Sequence, residues 1–132
     1  MKIAEYFETI KDHLFIVSFV ADFKIIKQVD RSKNGHIRAR VTFTDNSQLE
    51  FSEFVEQNAD DEIQLVTYSY HWSDENDTAI RRWDNTKHFP NLKNFPHHIH
   101  APTGEVEESV IPGAPTNIFA ILDEIAKIIG HE

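Results

Sequence analysis

The chain of 132 residues contains no cysteine. Disulfides, thiolate metal sites and a cysteine nucleophile are therefore excluded. No apolar run approaches the length that spans a bilayer. Glu5, Glu8, Lys11 and Asp12 interrupt any basic-then-apolar leader near the start, so a cytoplasmic protein with no membrane partner is the expectation. There is no internal repeat, linker or low-complexity stretch, and residues 1–132 read as one domain with room for one core. Basic residues are the minority: 13 Lys and Arg against 22 Asp and Glu give a formal net charge of −9. That balance disfavours an extended nucleic-acid surface, because phosphate contacts need local Lys and Arg. It suits a basic partner protein better.

What is abundant is histidine, in one place. Of 8 histidines, His88, His97, His98 and His100 fall within one short segment. Histidine exchanges protons near neutral pH and is the commonest metal ligand. Between Ile80 and His100, Arg81, Arg82, Lys87 and Lys93 stand against Asp84 alone, a local +3 that leaves −12 for the rest. The histidine segment is a basic island on an acidic chain.

Periodicity assigns the scaffold. Ile3, Phe7, Ile10 and Leu14 recur at helical spacing. From Phe15 to Ile25 apolar residues alternate, which predicts a long strand. Asp30 to Gly35 reads as a turn, with Asn34-Gly35 supplying positive φ. Ile37, Ala39, Val41 and Phe43 alternate with Arg38, Arg40 and Thr42, the cleanest strand pattern of the chain. Leu49, Phe51 and Val55 follow, with Glu53 oddly on their apolar face. Val66, Tyr68, Tyr70 and Trp72 mark another strand, and residues 78–84 return. Pro90 and Pro96 exclude a helix across the histidine segment, and Pro112 and Pro115 read as loop. Ile118, Ile121, Leu122, Ile125, Ile128 and Ile129 form the stripe of a last helix, capped by Thr116 or Asn117 and ended by Gly130. The expected fold is α+β: an antiparallel meander of about five strands with N-terminal and C-terminal helices packed on it. An exposed strand edge leaves a homodimer open.

His98 and His100 are two apart, so in an extended segment they share a side, about 7 Å apart, while His97 points away. Two such imidazoles suit general acid–base catalysis. Arg82, with Arg81 or Lys87, supplies positive charge for a phosphoryl oxygen. Asp84 can orient an imidazole. His88 and His97 are reserves. These parts fit metal-independent RNA cleavage, with Trp83, Tyr68 or Tyr70 stacking a base; the same aromatics also read as sheet packing. Glu53 reads as a structural partner of Arg82, Arg38 or Arg40, or as an acid or base with a raised pKa. His36 and His71 read as structural or solvated. Two rival readings stay open. One is a non-catalytic module docking a partner protein; the other is a metal-dependent hydrolase in which His88, His98, His100 and Asp84 hold Zn²⁺ or Mn²⁺. The first reading needs no cofactor.

The order of motifs resembles the TumE family of toxins from bacterial and archaeal toxin–antitoxin pairs. The matching residues are Asp45-Asn46-Ser47-Gln48-Leu49 with Glu53, Tyr68-Ser69-Tyr70, Arg82-Trp83-Asp84-Asn85, His88, and Phe95-Pro96-His97-His98-Ile99-His100. The resemblance spans roughly Phe23 to Val110. It departs at Asn46, where the family has Gly, and at Thr86-Lys87-His88-Phe89, where the family often has Pro and a second histidine. The resemblance implies a toxin whose neighbour is a helix-turn-helix antitoxin; it hands over no mechanism.

Overall fold

The computed structural model describes residues 1–87, 89–103 and 106–130. Helix α1 (Ile3–Ile16) is followed by strands β1 (Val20–Asp30), β2 (Asn34–Phe43), β3 (Gln48–Gln57), β4 (Ile63–Ser73), β5 (Ala79–Asp84), β6 (His98–Thr103) and β7 (Val106–Pro112), then helix α2 (Ile118–Ile129). The strands pair in chain order as one seven-stranded antiparallel sheet. The α+β meander with two helices is as expected, but the sheet has seven strands rather than about five. The two extra strands come from the histidine segment and the stretch after it. There Ile99 and Ala101 alternate with imidazoles, so the apolar period is masked by polar side chains that are themselves packed.

Both helices cover one face. Ile3, Phe7, Ile10 and Leu14 of α1, and Ile118, Ile121, Leu122 and Ile125 of α2, meet Ile37, Ala39, Val41, Phe51, Tyr70 and Trp72 from the sheet. The α1 stripe holds its helix through Phe15 and Ile16, which are left exposed at 83% and 82% instead of starting a strand. Asn117 caps α2 by accepting from the Ala120 amide at 3.0 Å, and Gly130 closes it in the left-handed region. Asn34 and Gly35 belong to β2, and neither has positive φ. Glycine is needed at position 35 for close approach: a Cβ there would meet Ile3 Cγ2 at 2.6 Å and the Val29 carbonyl at 2.8 Å. Among the described residues, no helix is long and apolar enough to cross a membrane.

The other face carries no helix. Two rows of cross-strand neighbours run over it. The first is Lys24, Arg40, Glu50, His71, Arg82, His100 and Val110; the second is Lys27, Arg38, Ser52, Ser69, Asp84, His98 and Pro112.

Candidate functional site

Strands β5 and β6 build the site by register alone. Arg82 faces His100 and Asp84 faces His98, so four side chains meet on the helix-free face. Residues two apart in a strand point the same way, which brings Arg82 to Asp84 as well. The Asp84 carboxylate, fully buried, is the hub. Its Oδ1 lies 2.7 Å from His98 Nε2 and accepts from the Thr86 amide at 3.1 Å and the Thr86 hydroxyl at 2.9 Å. Its Oδ2 lies 3.0 Å from Arg82 Nε and 3.7 Å from His100 Nε2. These nitrogen–oxygen contacts are close approaches rather than aligned hydrogen bonds, since neither Oδ2 nor His98 Nε2 has an aligned partner.

The two imidazoles are not equivalent. His98 is 2% exposed, and its Nδ1 lies 2.9 Å from the Pro96 carbonyl. A carbonyl only accepts, so that nitrogen carries the proton and Nε2 is turned to Asp84. His100 sits beside it, ring centroids 4.8 Å apart, with 14% of its side chain exposed. Phe89 packs edge-on against both rings at 4.9 and 5.9 Å. Phe89 thus packs over His98, while His100 keeps partial exposure beside Arg82, whose side chain is 45% exposed. Of the expected pair, His98 is buried and only His100 keeps some exposure.

The other expected site residues fall elsewhere. Glu53 lies on the helix face and pairs with none of Arg82, Arg38 or Arg40. Its carboxylate accepts from Tyr6 Oη at 2.5 Å, Tyr70 Oη at 2.6 Å and the Ile118 amide at 3.0 Å. Burial pushes the Glu53 carboxyl up, and these hydrogen bonds partly offset the rise. Tyr68, Tyr70 and Trp83 are buried on that face as well, where their rings pack in the core cluster. Burial and the nearby Asp84 charge push the Tyr68 hydroxyl up to about 12. His97 follows its alternation to this side: Tyr68 Oη lies 2.8 Å from His97 Nδ1 and the rings stack at 5.8 Å. Burial, then the neighbouring His98, lowers the His97 pKa. Arg81 is drawn to Glu124 of α2 at 3.1 Å and over the Trp83 ring at 5.8 Å. Lys87 is exposed on the connection 85–97. His88 lies outside the described residues.

One residue was passed over. His71, exposed on β4, faces Arg82 directly, so Arg82 stands between His71 and His100 along one row. The strand alternation of β4 places His71 opposite Tyr70 and Trp72, which is the signal that could have found it. The only described group of three or more metal-ligating side chains is Asp84, His98 and His100, with ligand atoms within 4.8 Å of one another.

The family model described as Toxin TumE matches residues 7–129. No curated protein and no solved structure matches the chain.

Proposed function

The chain belongs to the TumE toxin family, and from that premise we propose that it is the toxin of a toxin–antitoxin pair and acts by cleaving RNA at Arg82, His100 and His71. The observation that carries this reading is the row His71–Arg82–His100, in which a guanidinium is flanked on the adjacent strands by the exposed imidazole of His71 and the partly exposed imidazole of His100. Neighbouring strands lie about 4.8 Å apart, so the two imidazoles can reach opposite sides of a phosphate held by Arg82. One imidazole, His100, takes the proton of the ribose 2′-hydroxyl as that oxygen bonds to the adjacent phosphorus. The P–O5′ bond breaks, and His71 gives its proton to the departing 5′-oxygen. The products are a 2′,3′-cyclic phosphate and a 5′-hydroxyl, with no co-reactant. Arg82 stabilises the charge that builds on the non-bridging oxygens. Asp84 and His98 act through His100 by holding its ring and its local charge.

A second reading rests on a specific observation: buried His98 Nε2 and Asp84 Oδ2 lack aligned partners, and together with His100 they form a group of ligand atoms within 4.8 Å of one another. With His98 Nδ1 anchored on the Pro96 carbonyl, the set resembles a ligand shell completed from outside it. Zn²⁺ or Mn²⁺ fits its nitrogen and oxygen donors. Under this reading the three residues hold the cation, and the hydrolysis is metal-dependent.

Purified protein without a histidine tag, incubated with RNA in the presence and absence of chelator, separates the two. The acid–base reading predicts chelator-insensitive cleavage, lowered about 10²-fold or more by His100→Ala or His71→Ala. Cleavage abolished by chelator and restored by Zn²⁺ or Mn²⁺ replaces it with the metal reading. Cleavage unchanged in His100→Ala contradicts both. The partner implied is an antitoxin, proposed as a helix-turn-helix protein, and the work is placed in the cytoplasm, where RNA is met. The outer strands β1 and β7 offer the edges for a homodimer.

A further inference from the structure

The helix-free face continues beyond His100, and its middle is a trough. In the second row Ser52 faces Ser69, between Arg38 on one side and Asp84 on the other. These short side chains make a floor. Around it stand longer ones, and a groove of about 270 Å³ results, lined by Arg38, Glu50, Ser52, Ser69, His71 and Arg82. The groove therefore opens directly from the row His71–Arg82–His100.

Its charge is set by residues far apart in the chain. Within the two rows the charged side chains are Lys24, Lys27, Arg38, Arg40 and Arg82 against Glu50 and Asp84. Glu50 does not cancel its neighbours. It accepts from Arg38 at 2.6 Å and from Arg40 at 2.8 Å, so one carboxylate holds two guanidiniums in place and leaves a surplus positive charge. Side-chain hydrogen bonds from Arg38 and Arg40 lower the Glu50 pKa accordingly. The field is felt nearby: after burial, Lys27 and Arg38 are the groups that lower the His36 pKa. The acidic total does not describe these two rows, and the register sets Lys24, Lys27, Arg38 and Arg40 in line with the basic segment.

We propose that the groove floored by Ser52 and Ser69, between Arg38 and Arg82, is a second phosphate-binding subsite. It receives the phosphate next to the one at His100, so the substrate is a single-stranded RNA chain laid across the strands, not a free nucleotide. Two hydroxyl donors below and guanidinium donors on both rims match the oxygens of a phosphodiester. A single strand is required because in-line attack by a 2′-oxygen needs a nucleotide turned out of helical geometry. The assignment of a substrate to the groove rests on the RNA-cleaving reading above; the binding itself does not.

The test is fluorescence anisotropy of the full chain with a labelled 2′-O-methyl RNA dodecamer, which has no free 2′-hydroxyl and stays intact. Wild type is expected to bind. Arg38→Gln and Ser69→Asp are expected to weaken binding by about tenfold, the scale of one charged contact. Arg38→Gln is also expected to reduce the slope of log affinity against log salt by about 0.7. Arg38 is a surface residue, so this variant stays folded, and circular dichroism checks both. Groove variants that bind like wild type overturn the proposal. Wild type that ignores the dodecamer overturns it too and leaves the groove to an acidic segment of a partner protein. RNA cleavage by His100→Ala is measured in parallel. If it cleaves normally while groove variants lose binding, the catalytic reading falls and the subsite stands; the reverse pattern removes the subsite alone.

Discussion

Glu53 is a carboxylate sunk in the apolar half of β3, and the alternation of Leu49, Phe51 and Val55 already marks it as out of place. What the pattern could not supply is its partners, because Tyr6, Tyr70 and the α2 amide at Ile118 arrive from three other elements. The same limit applies to His98 and His100. Their common side was legible from spacing, but the difference in burial between them, with His98 enclosed and His100 partly exposed, was not. Glu53 makes a pH prediction. Its folded pKa is raised above the ordinary 4.5, so between those values the folded state holds a proton that the unfolded chain releases. The resulting stability is complete below 4.5 and is lost as pH rises through the folded value. Glu53→Gln is expected to remove that decline. Urea unfolding of both proteins from acid to neutral pH measures it; parallel curves for wild type and variant would contradict the assignment.

At the scale of elements, the β4–β5–β6 register sets the site, and one side chain stands at its end. Asn85 donates from Nδ2 to the Val66 carbonyl and accepts at Oδ1 from the Tyr68 amide, both at 2.9 Å. It thereby continues the β5 ladder with a side chain after the backbone has turned away. The turn itself belongs to Asp84, whose Oδ1 takes the Thr86 amide and hydroxyl. A sequence reading sees Asp-Asn as one turn signal; the division of labour appears only once β4 lies alongside. Asn85→Ala is expected to cost about 2 kcal/mol, because a buried amide and its neighbouring carbonyl lose their partners. Chemical denaturation reads this directly, and a change below about 0.5 kcal/mol, the scale of a neutral surface substitution, would show the clamp to be dispensable. Strands β2, β3, β4 and β5 and helix α2 were legible because each has an apolar face. Strands β6 and β7 escaped because the packed groups of β6 include imidazoles, and Pro112 is tolerated at an edge.

The whole molecule is a sheet with one face closed by two helices and the other left to polar side chains. Its total charge of −9 conceals that second face. Lys24 and Lys27 of β1 and Arg38 and Arg40 of β2 lie far from the histidine segment in sequence, and only the meander sets them in the same cross-strand rows as Arg82 and Asp84. A chain-wide charge sum averages over both faces, whereas a phosphate meets one. The claim that unites these scales is that the row His71–Arg82–His100 gives a toxin of this family its effect through RNA. Induced expression of wild type beside the double variant His71→Ala/His100→Ala, scored for growth and for total RNA integrity, tests it most directly. Growth arrest with RNA loss is expected from the wild type alone. Arrest and RNA loss persisting in the double variant, or arrest by the wild type with RNA intact, would contradict it.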